Sequence, residues 1–207
     1  MPRLKQDRAV RTREALLHAA AEEFDEKGYT GALVNSILER AGLTAGAMYF
    51  HFKSKEALAV AVMNGQQQAI EPRVTSRGLQ RLVDITLVWA HQLPVDPMLR
   101  AGVRLAVEQG SFGMRDATTF LNWQASMIEC LRDAEEDGEL LPEVVPENIA
   151  EFVVGACTGV QLYAQLVNGR ADLCERTVRM WELLLPGIAV PATARRISLD
   201  LDRTTVA

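Results

Sequence analysis

The chain has 207 residues, 48% of them hydrophobic and 24% charged, a composition that fits a soluble globular protein with one ordinary domain or a small and a larger one. Its three cysteines are widely spaced and form no C-x-x-C pair, which argues against a disulfide framework or a zinc site. No signal peptide is visible, and no apolar run reaches the roughly 20 residues needed to span a bilayer. We therefore expect a cytoplasmic protein.

The net charge of −5 is unevenly distributed along the chain. Residues 1–13 carry five basic side chains and one acidic one, whereas the chain after residue 60 carries 13 basic and 19 acidic ones. The acidity thus belongs to the later part, and the chain begins with a basic arm. Such an asymmetry suggests that the two parts have different functions.

Helical spacing of apolar residues dominates the first third of the chain. An apolar stripe from Val10 to Phe24 predicts a helix that ends at Gly28. A short helix is expected at 35–41, a second one opens after Thr44, and a third follows the cap Ser54 and runs toward residue 68. Residues 71–78 have the composition of a linker.

The remainder of the chain predicts about five longer helices, and no strand-like alternation of convincing length occurs. These helices are expected at 79–93, from 96 to about 109, and at 118–136, 146–167 and 171–185, with a loop at 110–116 and a last turn or two after residue 191. The predicted fold class is therefore all-α.

The two short helices flank Ala41-Gly42-Leu43, which is a helix-turn-helix pattern. Gly42 can adopt a left-handed conformation at little cost, and Thr44 can cap the second helix. Ala45 and Gly46 are small, so this helix can lie close to a groove wall. Tyr49, His51, Lys53 and Lys55 can reach phosphates, while at least one of Phe50 and Phe52 is expected to anchor the helix to its own core.

The alternative is that the rings only fill a small core and the lysines face water. The basic arm upstream weighs against that alternative, because arm, helix-turn-helix and phosphate-reaching side chains all suit duplex DNA. The predicted DNA-binding residues are Arg11, Thr44, Ala45, Gly46, Tyr49, Phe50, His51, Lys53 and Lys55.

Residues 8–58 resemble the DNA-binding domain of the TetR family of transcriptional regulators. The residues that carry the resemblance are Phe24, Gly28, Tyr29, Ala41-Gly42, Thr44, Gly46, Tyr49, Phe50-His51-Phe52 and Lys55. The resemblance implies a homodimer that represses genes at a palindromic operator, with a helix-turn-helix domain at 1–54 and a ligand-binding and dimerisation domain at 55–207. Ala45 departs from the family, because most close relatives have a lysine there; the operator sequence and affinity stay open.

The second half resembles the γ-butyrolactone receptor branch of that family. The stretches that carry the resemblance are "DPMLRAGVRLAVEQG" (96–110), "FLNWQ" (120–124), "GELLPEVV" (138–145), "VVGACTGVQLYAQLVNGRADL" (153–173) and "LLPGIAVP" (184–191). The resemblance implies release from DNA by a diffusible lactone or butenolide hormone that controls antibiotic genes. It also implies that Trp123 lines the hormone pocket and that Gln66 and Thr158 hydrogen-bond the lactone. An isolated glutamine or threonine is often solvated or bonded to its own backbone, and Trp123 can equally be core.

Two other functions stay open. The first is a DNA-binding regulator without a lactone response, either a pseudo-receptor or a drug-responsive efflux repressor; the acidic pI favours a receptor. The second is an enzyme, which the scattered histidines and the lack of any G-x-S-x-G, HExxH or phosphate loop disfavour. No metal or cofactor is expected. Dimerisation is expected to use 146–167 and 171–185, since a monomer would expose their apolar faces.

Overall fold

The computed structural model describes residues 2–70 and 74–200, with side chains from Asp7 onward. Over these residues the protein is built from α-helices and has no β-strand apart from one antiparallel bridge between Leu140 and Ala189, so the predicted all-α fold class is confirmed. The helices are α1 (Pro2–Gly31), α2 (Val34–Ala41), α3 (Ala45–His51), α4 (Lys55–Asn64), α5 (Gln66–Ile70), α6 (Gly78–Gln92), α7 (Pro97–Glu108), α8 (Thr118–Glu136), α9 (Pro146–Asn168), α10 (Leu173–Ile188) and α11 (Pro191–Arg196), with a 3-10 helix at Gln109–Phe112.

Helix α1 is interrupted near its end at Gly28, whose φ of 68° and ψ of 177° are not helical. A Cβ at this position would lie 2.6 Å from Nη2 of Arg104 on α7, so the site needs glycine both for its backbone angle and for the close approach. Arg104 donates to the carbonyl of Asp25 over 2.7 Å and pairs with Glu108 over 2.8 Å. The predicted helix end therefore coincides with this interruption, although helical turns continue to Gly31.

Side chains that were predicted to begin several helices do cap them. The hydroxyl of Thr44 accepts from Ala47 N over 3.3 Å, and the hydroxyl of Ser54 accepts from Ala57 N over 3.1 Å. Asp96 accepts from Met98 N over 2.7 Å. These side chains satisfy backbone N–H groups that have no partner within their own helix.

Three sequence-based expectations differ from the structure. Val10 is exposed rather than part of the apolar stripe, because the buried face of α1 begins further along, at Leu16. The helix after Ser54 does not run to residue 68 unbroken but stops at Asn64, and α5 begins after Gly65. Helix α10 was expected to end at residue 185 but continues through Pro186 to Ile188. Beyond the proline, Ala189 N donates to Leu185 O over 2.9 Å.

The chain divides into two compact units that do not follow the order of the sequence. The first unit comprises the chain up to Gln66 together with Asp96–Thr119, and the second comprises Gln67–Val95 and the chain from Phe120. The proposed functional division at 54/55 is a separate matter and stays a prediction. In the first unit, α7 packs against α1 and α4, so the helices that precede and follow the helix-turn-helix rest on a segment that lies far away in sequence.

In the second unit α6 is the central helix, because every residue from Leu82 to Ala90 on it is buried. Its Thr86 hydroxyl accepts a hydrogen bond from the indole nitrogen of Trp181 on α10 over 2.7 Å, and Trp181 itself is fully buried. The segment after α11 returns to α6, where Gln80 exchanges two hydrogen bonds with the backbone of Ser198, of 2.8 and 3.0 Å.

Among the described residues, α9 is the one helix that is long and apolar enough to cross a membrane. A single such helix is weak evidence for a membrane span, because the core helix of a soluble protein has the same length and composition. Only 22% of its apolar window is buried within the chain. Its inner side also holds a polar contact: buried Gln161 accepts from Arg170 over 3.0 Å.

Candidate nucleic-acid interface and ligand-binding positions

The second helix of the helix-turn-helix, α3, has one buried residue and an exposed remainder. Met48 is completely buried in the core of the first unit. Because successive residues of an α-helix are 100° apart, Gly46 and Phe50 point away from that core. The exposed face is presented by the turn at Gly42, whose φ of 65° lets α2 end and α3 begin within three residues.

The adjacent phenylalanines serve opposite purposes. Phe52 is 5% exposed and belongs to the core, with the guanidinium of Arg13 5.3 Å from its ring centroid. Phe50 is 80% exposed, and its ring meets His51 edge to face, with centroids 5.0 Å apart and planes at 90°. The expected anchoring of α3 by one ring is thus done by Phe52.

Helix α2 is fixed to α1 by ionic contacts that were not foreseen from the sequence. Arg40 pairs with Glu22, Glu23 and Glu26 at 3.1, 3.3 and 2.9 Å. The carboxylate of Glu23 is fully buried and also accepts from Lys27 over 2.9 Å. Burial raises the pKa of Glu23, but the hydrogen bonds from Lys27 and a backbone N–H outweigh that effect and leave the pKa below its ordinary value. The charged network therefore holds α2 against α1, and α2 leads through the turn at Gly42 into α3.

Of the two predicted phosphate-reaching lysines, only Lys53 points to solvent. It is exposed, with no ion pair among the described residues. The ammonium of Lys55 donates to the carbonyl of Ala32 over 2.6 Å and lies 4.4 Å from the ring centroid of Tyr29. Burial lowers the pKa of Lys55, and the Tyr29 hydroxyl donates to Glu56 over 2.7 Å. Lys55 thus has two partners inside the first unit. These contacts cannot be predicted from its position in the sequence.

The remaining predicted DNA-binding residues are exposed, except for His51, which is half-buried. Arg11 is exposed on α1, and Tyr49 is 58% exposed on α3. Ala45 and Gly46 are exposed on the first turn of α3, beside the cap Thr44. Their role in DNA binding is untested and stays a prediction.

The three predicted lactone-contacting residues are divided between the two units. Gln66 belongs to the first unit, is 3% exposed, and donates to Met63 O over 3.0 Å while its side chain lies against Gly102. Trp123 on α8 and Thr158 on α9 belong to the second unit. Trp123 is 9% exposed, and the hydroxyl of Thr158 donates to Val154 O over 2.8 Å. Thr158 thus bonds to its own helix, as an isolated threonine often does.

Helices α9 and α10 share a broad exposed apolar surface, which we call the α9–α10 face. Its large exposed side chains are Phe152, Leu162, Tyr163, Leu166, Val167 and Leu183. An open groove between the two helices is lined by residues that include Gly159, Tyr163 and Met180. The guanidinium of Arg176 lies 4.9 Å from the ring centroid of Tyr163 and pairs with Asp172 over 2.7 Å.

Residues 16–62 match the family model for bacterial regulatory proteins of the tetR family, and residues 76–191 match the tetracyclin repressor-like C-terminal domain. The chain is 39% identical over 193 residues to the A-factor receptor protein of Streptomyces griseus, across 93% of this chain and 69% of that protein. Its structure is similar to that of tylp, a tetr regulator from Streptomyces fradiae, with a TM-score of 0.89 and 40% identity over 96% of each chain. It is also similar to a gamma-butyrolactone receptor, an ArpA-like protein, with a TM-score of 0.71 and 27% identity over 97% of this chain and 100% of that one.

Proposed function

The chain belongs to the TetR family of bacterial regulatory proteins, and on that basis we propose that it is a repressor released from a palindromic operator by a small γ-butyrolactone or butenolide. Members of this family are DNA-binding regulators rather than enzymes, and they function as dimers. We further propose that the regulated genes serve antibiotic or other secondary metabolism, and that the protein acts in the cytoplasm.

Exposed side chains of the first unit support DNA as its partner. Tyr49 and Phe50 lie on a short helix with no acidic residue, and Lys53 follows two residues after its end. Arg11 adds an exposed positive charge on α1. Because Lys55 is bonded inside the unit, we assign phosphate contact to Lys53, Tyr49 and the basic arm, and give Lys55 a supporting role.

The observation that carries the lactone part of the proposal is the 39% identity to the A-factor receptor protein over 93% of the chain. Trp123, which is 9% exposed on α8, stays the candidate for an apolar wall of the hormone pocket, as the resemblance implies. A short lactone with an alkyl tail needs an apolar slot with a few polar anchors, for which Thr158 and Gln66 stay candidates.

We propose that the α9–α10 face packs against the same face of a second copy in a dimer. A monomer would expose several large apolar side chains there, among them Leu166 and Leu183, which are 78% and 79% exposed. A two-fold dimer would place two copies of α3 in successive major grooves, about 34–36 Å apart. Burial by a second copy accounts for the apolar character of α9 without a membrane.

Release would follow from movement of α4 and α5. Helix α4 begins four residues after α3 ends, and its connection to α5 is the single residue Gly65. A shift of α5, which begins at Gln66, would change the spacing of the two α3 helices. Only a difference in lactone affinity between the two spacings can drive release. Lactone and DNA must therefore weaken each other's binding by the same factor, which calorimetry measures directly.

The proposal is tested by a gel-shift experiment on the DNA upstream of the protein's own gene, with and without a panel of lactones and butenolides. The expected result is salt-sensitive binding that one class of these compounds abolishes. Trp123→Ala supplies the matched variant. It should keep its operator affinity but lose its response to lactone, because the lost contact between the indole and the ligand costs about 3–5 kcal/mol. A variant that unfolds easily and still responds would place Trp123 in ordinary core. Operator binding that no lactone alters would instead favour a regulator without a lactone response.

A further inference from the structure

The most outward ridge of α3 has no hydrogen-bonding group. Gly46 and Phe50 each lie two residues from buried Met48, which is 200° around the helix, so they form the centre of the exposed face. Gly46 has no side chain, and a Cβ there would touch nothing closer than the Thr44 hydroxyl at 3.8 Å. The part of α3 that would lie deepest in a groove therefore consists of Gly46, which has no side chain, and the phenyl ring of Phe50.

The Phe50 ring contacts one neighbouring ring although it is 80% exposed. His51 meets it edge to face at 5.0 Å and 90°, and the phenyl ring has only two side-chain torsions to restrict. The solvated Phe50 ring is not part of the core of the first unit, to which Phe52 belongs. Its geometry suits a partner that approaches along the outer face of α3.

The side chains of α3 limit which chemical groups of a partner they can recognise. Its seven residues, AGAMYFH, include no carboxylate, amide, guanidinium or ammonium group. The bidentate contacts that distinguish guanine or adenine in the major groove need those groups. Tyr49 and His51 lie to either side of the outward ridge formed by Gly46 and Phe50. The apolar feature that the major groove offers to an apolar side chain is the C5-methyl group of thymine.

We propose that Phe50 is a specificity-determining residue that reads thymine methyl groups in each half of the operator, with Gly46 providing the clearance for its approach. The inference rests on the proposed DNA-binding function and gives it a definite base chemistry. Operator preference at the centre of each half-site is then for thymine at one or two positions, read by van der Waals contact and not by hydrogen bonds.

Replacing thymine with uracil tests this directly, because uracil keeps the base pair and removes only the methyl group. The operator is first selected from random duplex DNA with the full-length protein. Each thymine of one half-site is then replaced in turn, and the Kd is measured. At the contacted thymine we expect about fourfold weaker binding, the factor for losing burial of one methyl-sized group. Replacement in both half-sites should weaken binding by about 15-fold.

Two variants separate methyl reading from general contact. Phe50→Ala should bind the thymine and uracil operators equally, and its unfolding curve should match that of the parent because the ring is exposed. Lys53→Gln should bind both operators more weakly yet keep the fourfold ratio, because its contact is with phosphate. If Phe50→Ala keeps the ratio, or if no thymine replacement affects the parent protein, Phe50 does not read methyl groups and the inference is wrong.

The selection step distinguishes this failure from failure of the proposed function. If no sequence is enriched, the protein is not a sequence-specific regulator, and both conclusions are overturned. An enriched operator that is insensitive to uracil overturns the reading by Phe50 alone. An enriched operator with thymine at the sensitive positions, together with the loss of sensitivity in Phe50→Ala, supports both.

Discussion

The exposed ridge of α3 and the α9–α10 face both present large apolar side chains, yet we assign them different partners. On α3 the apolar surface is narrow, a single ring at Phe50, and exposed Lys53 follows three residues later in the same segment. On α9 and α10 the apolar surface extends over two long helices. An exposed ring therefore does not identify its partner; the width of the patch and the charge beside it do.

The largest effect is expected from charging the broad surface. Leu183→Glu would place like charges near each other across a two-fold interface, and such a juxtaposition costs several kcal/mol. Sedimentation should show monomers, and operator affinity should fall by more than about 100-fold because both half-sites can no longer be held together. Val95→Glu is the matched control, since Val95 is similarly exposed but lies outside α9 and α10. A Leu183→Glu protein that remained dimeric would move the interface elsewhere.

The two phenylalanines at the end of α3 provide the next test. Phe52→Ala should reduce the free energy of unfolding by about 3–5 kcal/mol, as expected for a ring removed from a packed core. Phe50→Ala should change it by less than about 0.5 kcal/mol, as surface substitutions usually do. Urea unfolding measures both values. Similar losses from both variants would mean that Phe50 is also a structural residue, and the contrast drawn for α3 would fail.

A smaller effect is expected from the network that positions α3. Since the pKa of Glu23 is lowered in the folded state, its contribution to stability is full above the ordinary glutamate pKa of about 4.3 and is lost as the pH falls through the lowered value. Glu23→Gln should lose about 1–3 kcal/mol at neutral pH. Its stability should then fall less steeply than that of the parent as the pH is lowered below the ordinary glutamate pKa, as measured by denaturant unfolding at each pH. Parallel pH curves would mean that Glu23 is not the titrating group.

The smallest effect separates the two lysines that follow α3. Lys53→Gln should weaken operator binding for all sequences and flatten the salt dependence by about one unit, because one phosphate contact is lost. Lys55→Gln should leave that slope unchanged, because the Lys55 ammonium is bonded to Ala32 O. Equal slopes for the two variants, measured by titration at several salt concentrations, would contradict this division between interface and support.

Local signals in the sequence were sufficient for most helix boundaries. Thr44 and Ser54 were identified as caps, and Asp96 as the start of a helix, and all three accept from their helices, because capping depends on residues two or three positions apart. Pro186 misled the prediction of the end of α10, since a proline near a helix end sacrifices only one hydrogen bond and the chain can continue past it. Val10 misled the apolar stripe because periodicity cannot reveal where a neighbouring helix stops covering α1.

Tertiary contacts account for the rest of what the sequence did not predict. That Lys55 points into its own unit depends on Ala32, 23 residues away, and no pattern around Lys55 signals it. The support of α1 by Arg104 joins residues 79 apart. The grouping of Asp96–Thr119 with the first unit is likewise a consequence of packing, which a linear division at 54/55 does not contain.

The interleaving of the two units has a consequence for synthesis of the protein on the ribosome. The last segment that the first unit requires ends at Thr119, whereas the second unit is not complete until Ser198 returns to Gln80 on α6. Because units fold as their chain becomes available, the helix-turn-helix and its support can form while α9 and α10 are still being made. The DNA-binding surface would then mature before the chain can pair with a second copy, so that assembly is the final step in making an active regulator.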